Sequence, residues 1–253
     1  MLLNFRHFQI RDVQKKFVKY QDNPDLASLV KEGRSFIREG TLLKVCRRND
    51  KKFQFWLFSD LLMYGHAVGG GLFKHHRTIH LHECEVEEIR SRGQGSGSGS
   101  GSAGGAAGEG KGSDDAAADP NANTFNVKSK HKSFVVRTPG SGAESVQQKN
   151  MWFADMQNSI TATKEAHGVA QGDSVLAATW TQDSLSKSCP LCLAGFTFRK
   201  RKHHCRACGT LCCATCSSGR LMLPHLDSKK EVRVCDPCLA ENQAKEDVIV
   251  ITG

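Results

Sequence analysis

"RKRKHHCRACGTLCCATC", residues 199–216, sets four consecutive basic residues and two histidines against five cysteines. The 253-residue chain has eleven cysteines, of which only Cys46 and Cys84 precede Cys189; the other nine fall between 189 and 238. So local a cluster marks a small module with too few apolar residues for a core of its own, held instead by metal or disulfides. Eight of the nine form four pairs with two residues inside each: Cys189/Cys192, Cys205/Cys208, Cys213/Cys216 and Cys235/Cys238. Two intervening residues let both sulfurs of a tight turn reach one zinc at about 2.3 Å, and four thiolates close a tetrahedral structural site. Eight ligands therefore imply two zincs. Cys212 would leave three residues before Cys216 where Cys213 leaves the required two, so Cys212 is expected to be a buried apolar filler.

Disulfides are the alternative, and the rest of the chain argues against them. The N-terminus, "MLLNFRHFQIRD", meets charge too soon for a signal peptide, and no stretch approaches the roughly 20 apolar residues of a membrane span. A cytosolic setting is expected, and there paired cysteines read as zinc ligands. The formal net charge of +9 points to an anionic partner, either nucleic acid or an acidic membrane surface. No aromatic base-stacking platform accompanies the basic residues, so nucleic acid is not expected. No paired nucleophile and base and no open metal position stands out, so the chain reads as a binding protein rather than an enzyme.

Upstream of the cysteines the pattern changes. Residues 91–123 are mostly Gly, Ser, Ala and Asp, with no aromatic, Leu, Ile or Val to bury, and read as a solvated tether. Gly110-Lys111-Gly112-Ser113 within it looks like a phosphate loop but lacks Ser or Thr after the lysine and a preceding strand. Before the tether, "GTLLKVCRR", "KKFQFWLFSDLLMYG" and "RTIHLHECEVEEI" read as strands of an antiparallel meander; after it come "TFNVKS" and "KSFVVRT", joined by a turn at 130–132. A helix is expected from about Ser145 to His167, with Val146, Met151, Trp152, Met156 and Ile160 as its apolar stripe, and another around Ile10 to Tyr20. Strands followed by one amphipathic helix outline a small barrel or sandwich with a helical cap. The tether interrupts the strands, so it is a long loop inside one domain, and its closure entropy grows only logarithmically with length. Cys46 and Cys84 are expected to pack as small apolar residues, and His75, His76, His80 and His82 to be exposed or packed rather than metal-bound.

Around the cysteines stand Trp180-Thr181-Gln182-Asp183, then Arg201-Lys202-His203-His204-Cys205-Arg206, then Arg233-Val234-Cys235. These closely resemble the WxxD, (R/K)(R/K)HHCR and RVC signatures of the FYVE domain. RING fingers also bind two zincs through paired ligands, but usually with a Cys-x-His unit that is missing here, which weighs against a ubiquitin ligase. Residues 33–66 and "KSFVV", with Trp152 in the closing helix, resemble the pleckstrin-homology (PH) domain of the phafin family, and "GRLMLPHLDSKKEVRVCDPC" resembles its finger. The order, PH then FYVE, is the phafin order.

The resemblance implies an α+β, mainly β, protein: a PH-type barrel capped by a C-terminal helix, plus a small cross-brace finger. In the cross-brace, Cys189, Cys192, Cys213 and Cys216 hold the first structural zinc, and Cys205, Cys208, Cys235 and Cys238 the second. It implies phosphatidylinositol 3-phosphate as ligand, met by Asp183, Arg201, Lys202, His203, His204, Arg206 and Arg233, whose cationic members suit a monoester phosphate. Phe198, Arg199 and Lys200 occupy the position of the membrane-inserting loop, with Arg199 where many FYVE loops have a second apolar tip residue. In the PH domain, Lys44, Lys51 and Lys52 are candidate lipid contacts, although Gln54 stands where lipid-binding PH domains place an arginine. The expected divisions are an N-terminal helical extension at 1–34, the PH domain at 35–167 with its insert at 91–123, a linker at 168–179, the finger at 180–242 and a tail at 243–253. The implied function is a non-enzymatic adaptor, cytoplasmic and peripheral on early endosome membranes, acting in endosomal or lysosomal trafficking or autophagy, with unidentified protein partners on the PH domain or tether. The competing class is a PH-FYVE exchange factor for a Rho-type GTPase, which needs a helical catalytic domain before the PH domain; only a short segment precedes it here.

Overall fold

The computed structural model describes residues 2–46, 49–89, 119, 121–170, 172 and 175–252. The tether expected at 91–123, apart from Asp119 and 121–123, lies outside the described residues, as do Arg47 and Arg48.

Seven antiparallel strands form the first domain. β1 (Phe36–Lys44), β2 (Lys51–Phe58), β3 (Leu61–Gly69) and β4 (Leu72–His80) make one meander, and β5 (Cys84–Glu88), β6 (Thr124–Ser129) and β7 (Phe134–Arg137) a second. The order across the sheet is β4-β3-β2-β1-β7-β6-β5, and the two meanders meet through Leu43↔Arg137 and Lys44↔Val136. β5 and β6 pair in continuous register from Cys84↔Ser129 to Glu88↔Phe125, so the insert leaves and re-enters at one end of a hairpin.

Along β2, Phe53, Phe55 and Leu57 face the barrel interior, while Trp56 and Phe58 face the other way. The outward face is covered by Ile10, Val13 and Phe17 of the N-terminal segment together with Leu26 and Leu29. Both faces being covered, "KKFQFWLFSDLLMYG" is apolar at nearly every position from Phe53 onward instead of alternating. The N-terminal helix α1 spans Leu2–Lys15, ending short of the expected Tyr20. From Lys16 the backbone is recruited to the edge of β4: Val18 N donates to Phe73 O (2.9 Å) and Phe73 N to Lys16 O (2.8 Å). A residue bonded to a strand edge cannot also serve the helical ladder, which is why the helix stops there. A second short helix, α2 (Pro24–Ala27), is capped by Asn23, whose side chain accepts from Asp25 N and Leu26 N.

The closing helix α3 runs Gly142–Ala166. Trp152, Met156 and Ile160 enter the barrel core as expected, but Met151 does not belong to their stripe and is 41% exposed. Adjacent helix positions point about 100° apart, so Met151 and Trp152 cannot share a face. The buried face instead includes Lys149 and Lys164, which donate to Glu88 Oε1 (2.6 Å) and Glu85 Oε1 (3.2 Å) on β5. Trp152 lies against Gly40 of β1, where a Cβ would meet its ring at 3.3 Å. The fold is therefore α+β and mainly β: a PH-type barrel closed by one C-terminal helix, with a small finger beside it.

The finger has two short hairpins, β8 (His203–His204) with β9 (Leu211–Cys212) and β10 (Arg220–Leu223) with β11 (Asp227–Arg233), followed by α4 (Asp236–Thr252). Its core consists chiefly of cysteines with Val234, and Phe196, Leu221 and Leu239 pack against it. The connection to the barrel is pinned rather than free. Ala177 N donates to Ser129 O (2.9 Å), Ser133 Oγ donates to Ala177 O, and Thr179 Oγ1 donates to Asn126 Oδ1 (2.9 Å). His131 Nδ1 donates to the carbonyl of His225 (2.7 Å). Among the described residues no helix is long and apolar enough to cross a membrane.

Candidate functional site

The eight paired cysteines gather as two tetrads. Cys189, Cys192, Cys213 and Cys216 form one and Cys205, Cys208, Cys235 and Cys238 the other, and the four sulfurs of each lie within 4.8 Å of one another. A regular tetrahedron of sulfurs about 2.3 Å from a central zinc has edges of about 3.8 Å. Cys192 and Cys213 Sγ stand 3.8 Å apart, as do Cys208 and Cys235 Sγ. Backbone N–H groups point at the sulfurs: Cys213 N donates to Cys189 Sγ (3.4 Å) and Cys235 N to Cys205 Sγ (3.3 Å). The Cys213 thiol is pulled down to about 7, chiefly by the Cys216 N–H, while that of Cys216 is pushed up, chiefly by Cys192. Thiols this close compete for negative charge, and a dication resolves the competition by holding all four as thiolates. The donor sets fit two structural zinc ions with every position filled by sulfur. Cys212 joins neither tetrad; it is fully buried, with its sulfur 3.7 Å from the His203 carbonyl.

The metals fix the backbone on which the basic motif is mounted. β8 carries His203 and His204, and Arg206 N donates to Arg233 O (2.8 Å), tying the motif to β11. Trp180 is the hub of the cluster. His204 stacks on its indole at 4.8 Å and 12°, and the Arg206 guanidinium lies 4.3 Å from the ring centroid. His204 Nε2 is 2.7 Å from Thr181 O and 3.5 Å from Asp183 Oδ1. The remaining candidates divide by environment. Lys202 donates to the carbonyls of Asp183 and Ser186 (3.0 Å to the latter), which fastens the WxxD segment onto the motif. Arg233 donates to Ser217 O and Ser217 Oγ. His203 is half-buried, and Arg201 is exposed with its guanidinium 5.7 Å from the Phe198 ring. Phe198 is 88% exposed, with Arg199 and Lys200 also exposed beside it, whereas Phe196 packs inward.

The linker passes close to the second tetrad. Thr181 N donates to Gly209 O (3.0 Å), and Gly209, at φ +80°, lies so near the chain that a Cβ would collide with the Thr179 carbonyl. Only glycine suits a left-handed residue at such an approach.

In the barrel, Lys51 and Lys52 are exposed at the start of β2, but Lys44 is buried. Its ammonium donates to Tyr64 OH (2.9 Å) and lies 4.1 Å from the Phe134 ring centroid. Gln54 Oε1 accepts from Thr41 Oγ1 at 3.1 Å. Cys84 is fully buried; Cys46 is half-buried. His82 stacks on His167 at 4.4 Å, with His80 5.8 Å from His82. Sequence reasoning missed Lys132: its ammonium lies 4.7 Å from the Trp180 centroid, although the residue belongs to the β6–β7 turn of the other domain. Its place in a turn was readable, but its distant partner was not.

Comparison with known proteins finds relatives of the finger and of most of the chain. Residues 179–244 match the FYVE zinc finger family. The chain is 31% identical over 208 residues to the human "Pleckstrin homology domain-containing family F member 2", an alignment covering 81% of this chain and 70% of that protein. With human family F member 1 the identity is 30% over 216 residues, covering 85% and 66%. The solution structure of the LM5-1 FYVE domain from Leishmania major is 32% identical over 30% of this chain and 89% of its own, with a TM-score of 0.26. The chain belongs to the pleckstrin homology domain-containing family F, the phafins, with a FYVE zinc finger following a PH-type barrel.

Proposed function

We propose that the chain is a non-enzymatic adaptor that reads phosphatidylinositol 3-phosphate through its finger and so gathers on early endosomes, serving endosomal or lysosomal trafficking or autophagy. The observation that carries this reading is the convergence of His204 and Arg206 on Trp180, with Asp183 3.5 Å from His204, in a module whose Phe198 is 88% exposed. A phosphate monoester carries more than one negative charge near neutral pH, and a metal-braced cluster of cations meets it without first having to be ordered. Phe198 supplies apolar surface for the acyl boundary, and Arg199 and Lys200 the attraction to anionic head groups, about 1 kcal/mol each. In this reading Arg201, Lys202, His203 and Arg233 complete the head-group shell, while Lys44, Lys51 and Lys52 are secondary candidates on the barrel. The working divisions are the extension at 1–34, the PH domain at 35–167 with its insert at 91–123, the linker at 168–179, the finger at 180–242 and the tail at 243–253. Protein partners would dock on the barrel or the insert.

Liposome co-sedimentation tests the reading. The zinc-loaded chain should bind vesicles containing phosphatidylinositol 3-phosphate over matched vesicles containing phosphatidylinositol, and Arg206→Ala should weaken that binding about tenfold or more. Equal binding by Arg206→Ala sinks the proposal.

A further inference from the structure

The turn between β6 and β7 reaches across to the finger. Lys132 brings its ammonium to 4.7 Å from the Trp180 centroid, the same ring that carries Arg206 and His204. Between the domains lies a cavity of about 270 Å³, lined among others by Lys44, Lys132, Ser133, Trp180, Thr181 and His204. The end of β1, the β6–β7 turn and His204 of the finger's basic motif thus share one cleft.

The charges in this cleft are unbalanced. Among the described residues no carboxylate pairs with Lys44 or Lys132; Lys44 donates only to Tyr64 OH, and Lys132 rests on the indole. The pKa of Lys44 is lowered to about 8, chiefly by burial and next by Lys132, and that of Lys132 is lowered chiefly by burial, then by Arg77 and Arg206. Sheltered cations held near others cost free energy unless an opposite charge joins them; the carboxylate of Asp183 stands 3.5 Å from His204 and pairs with neither lysine. An ordinary surface lysine would turn out to solvent; Lys132 turns inward toward the finger's own phosphate cluster.

We propose that barrel and finger hold one phosphate monoester between them, with Lys132, and Lys44 behind it, completing from the barrel side the site that Arg206 begins on the finger. This rests on the phosphoinositide reading of the finger and adds a cation from the other domain. The head group then touches both domains at once, and the domain contact itself is part of the recognition site. The same phosphate chemistry is offered by the intact lipid and by its free head group, inositol 1,3-bisphosphate.

The test uses the full zinc-loaded chain as wild type, Lys132→Met, Lys132→Glu and Lys132→Arg, with Lys130→Ala as control; Lys130 is in the same turn and pairs with Glu83 at 3.4 Å. Met keeps the length and the packing on Trp180 without the charge, and zinc content reports whether each variant keeps its finger. Binding is measured on phosphatidylcholine/phosphatidylserine vesicles with and without phosphatidylinositol 3-phosphate, and calorimetrically with inositol 1,3-bisphosphate. Lys132→Met should weaken both the lipid-specific and the head-group binding by about fivefold to tenfold, Lys132→Glu by more, while Lys132→Arg and Lys130→Ala stay within about twofold of wild type. If wild type binds the lipid and Lys132→Met binds equally well, the shared site is wrong and the finger reading stands. A loss on vesicles alone, with head-group affinity unchanged, overturns it too, because Lys132 would then contact only bilayer charge. If wild type does not distinguish vesicles with the lipid from those without, both readings fall.

Discussion

The barrel and the finger solve the same problem of stability by opposite means. The barrel buries aromatic and aliphatic side chains on both faces of its sheet, from Phe55 and Trp152 inside to Trp56 and Phe58 beneath the N-terminal helix. The finger has little such surface, and the largest share of its core is sulfur. Distributed burial yields a domain that loses stability in steps when one side chain is trimmed, whereas two metal centres make stability all or none.

Removal of metal should separate the two most sharply. A strong chelator is expected to remove on the order of 10–16 kcal/mol of binding free energy per structural zinc and unfold the finger, while the barrel keeps its cooperative melt. A calorimetric scan in which both transitions vanish together would break the comparison. Trp152→Ala is the converse experiment: it should cost the barrel about 3–5 kcal/mol in urea unfolding and leave zinc content unchanged. Smaller again is the effect of Lys44. Its folded pKa, about 8, lies below the ordinary 10.5, so the protonated form is favoured in the unfolded chain. The sheltered charge therefore weakens the fold below pH 8, and the penalty fades as pH rises from 8 to 10.5, by at most about 3 kcal/mol. The groups facing it are Lys132, Cys46, Arg77, Lys51 and Tyr64, with Cys46 acting in the opposite sense to the cations. Lys44→Met should remove this component: a urea midpoint difference between pH 7 and pH 9.5 that is the same in wild type and variant would show that Lys44 does not titrate in this way. Smallest are the loop effects. Arg199→Ala and Lys200→Ala should each weaken binding to acidic vesicles by about 1 kcal/mol, roughly fivefold, an effect that high salt erases while zinc content and melting stay put.

What the sequence reveals follows the same division. Every ligand pair of the finger is local, separated by two residues, and the spacing alone picks Cys213 over its neighbour Cys212; which pairs share a tetrad was not in the spacing and came only with the FYVE resemblance, which the two tetrads match. The basic motif is likewise contiguous, so its position beside the metals was legible. The barrel strands could be read from their apolar runs, but what covers each face could not: Trp56 and Phe58 meet residues more than 25 positions away. The end of α1 was missed because a strand edge, not a local stop signal, takes its backbone at Lys16. Met151 was misplaced because apolar character stood in for helical phase, while the true face carries Lys149 and Lys164 paired with β5. Lys132 was missed for the same reason as the covering of β2, since its partner Trp180 is distant in the chain and close only after both domains have formed.

The close passage at Gly209 has a mechanical consequence. The segment 179–181 is fastened on one side to Asn126 of the barrel and on the other to the knuckle between Cys208 and Thr210. Such a strap transmits torque: with zinc in place the finger cannot swivel without dragging the barrel along. A finger seated on a bilayer would hold the barrel at a constant attitude, turning the same surface away from the membrane in every copy, and loss of zinc would slacken the joint as well as the anchor.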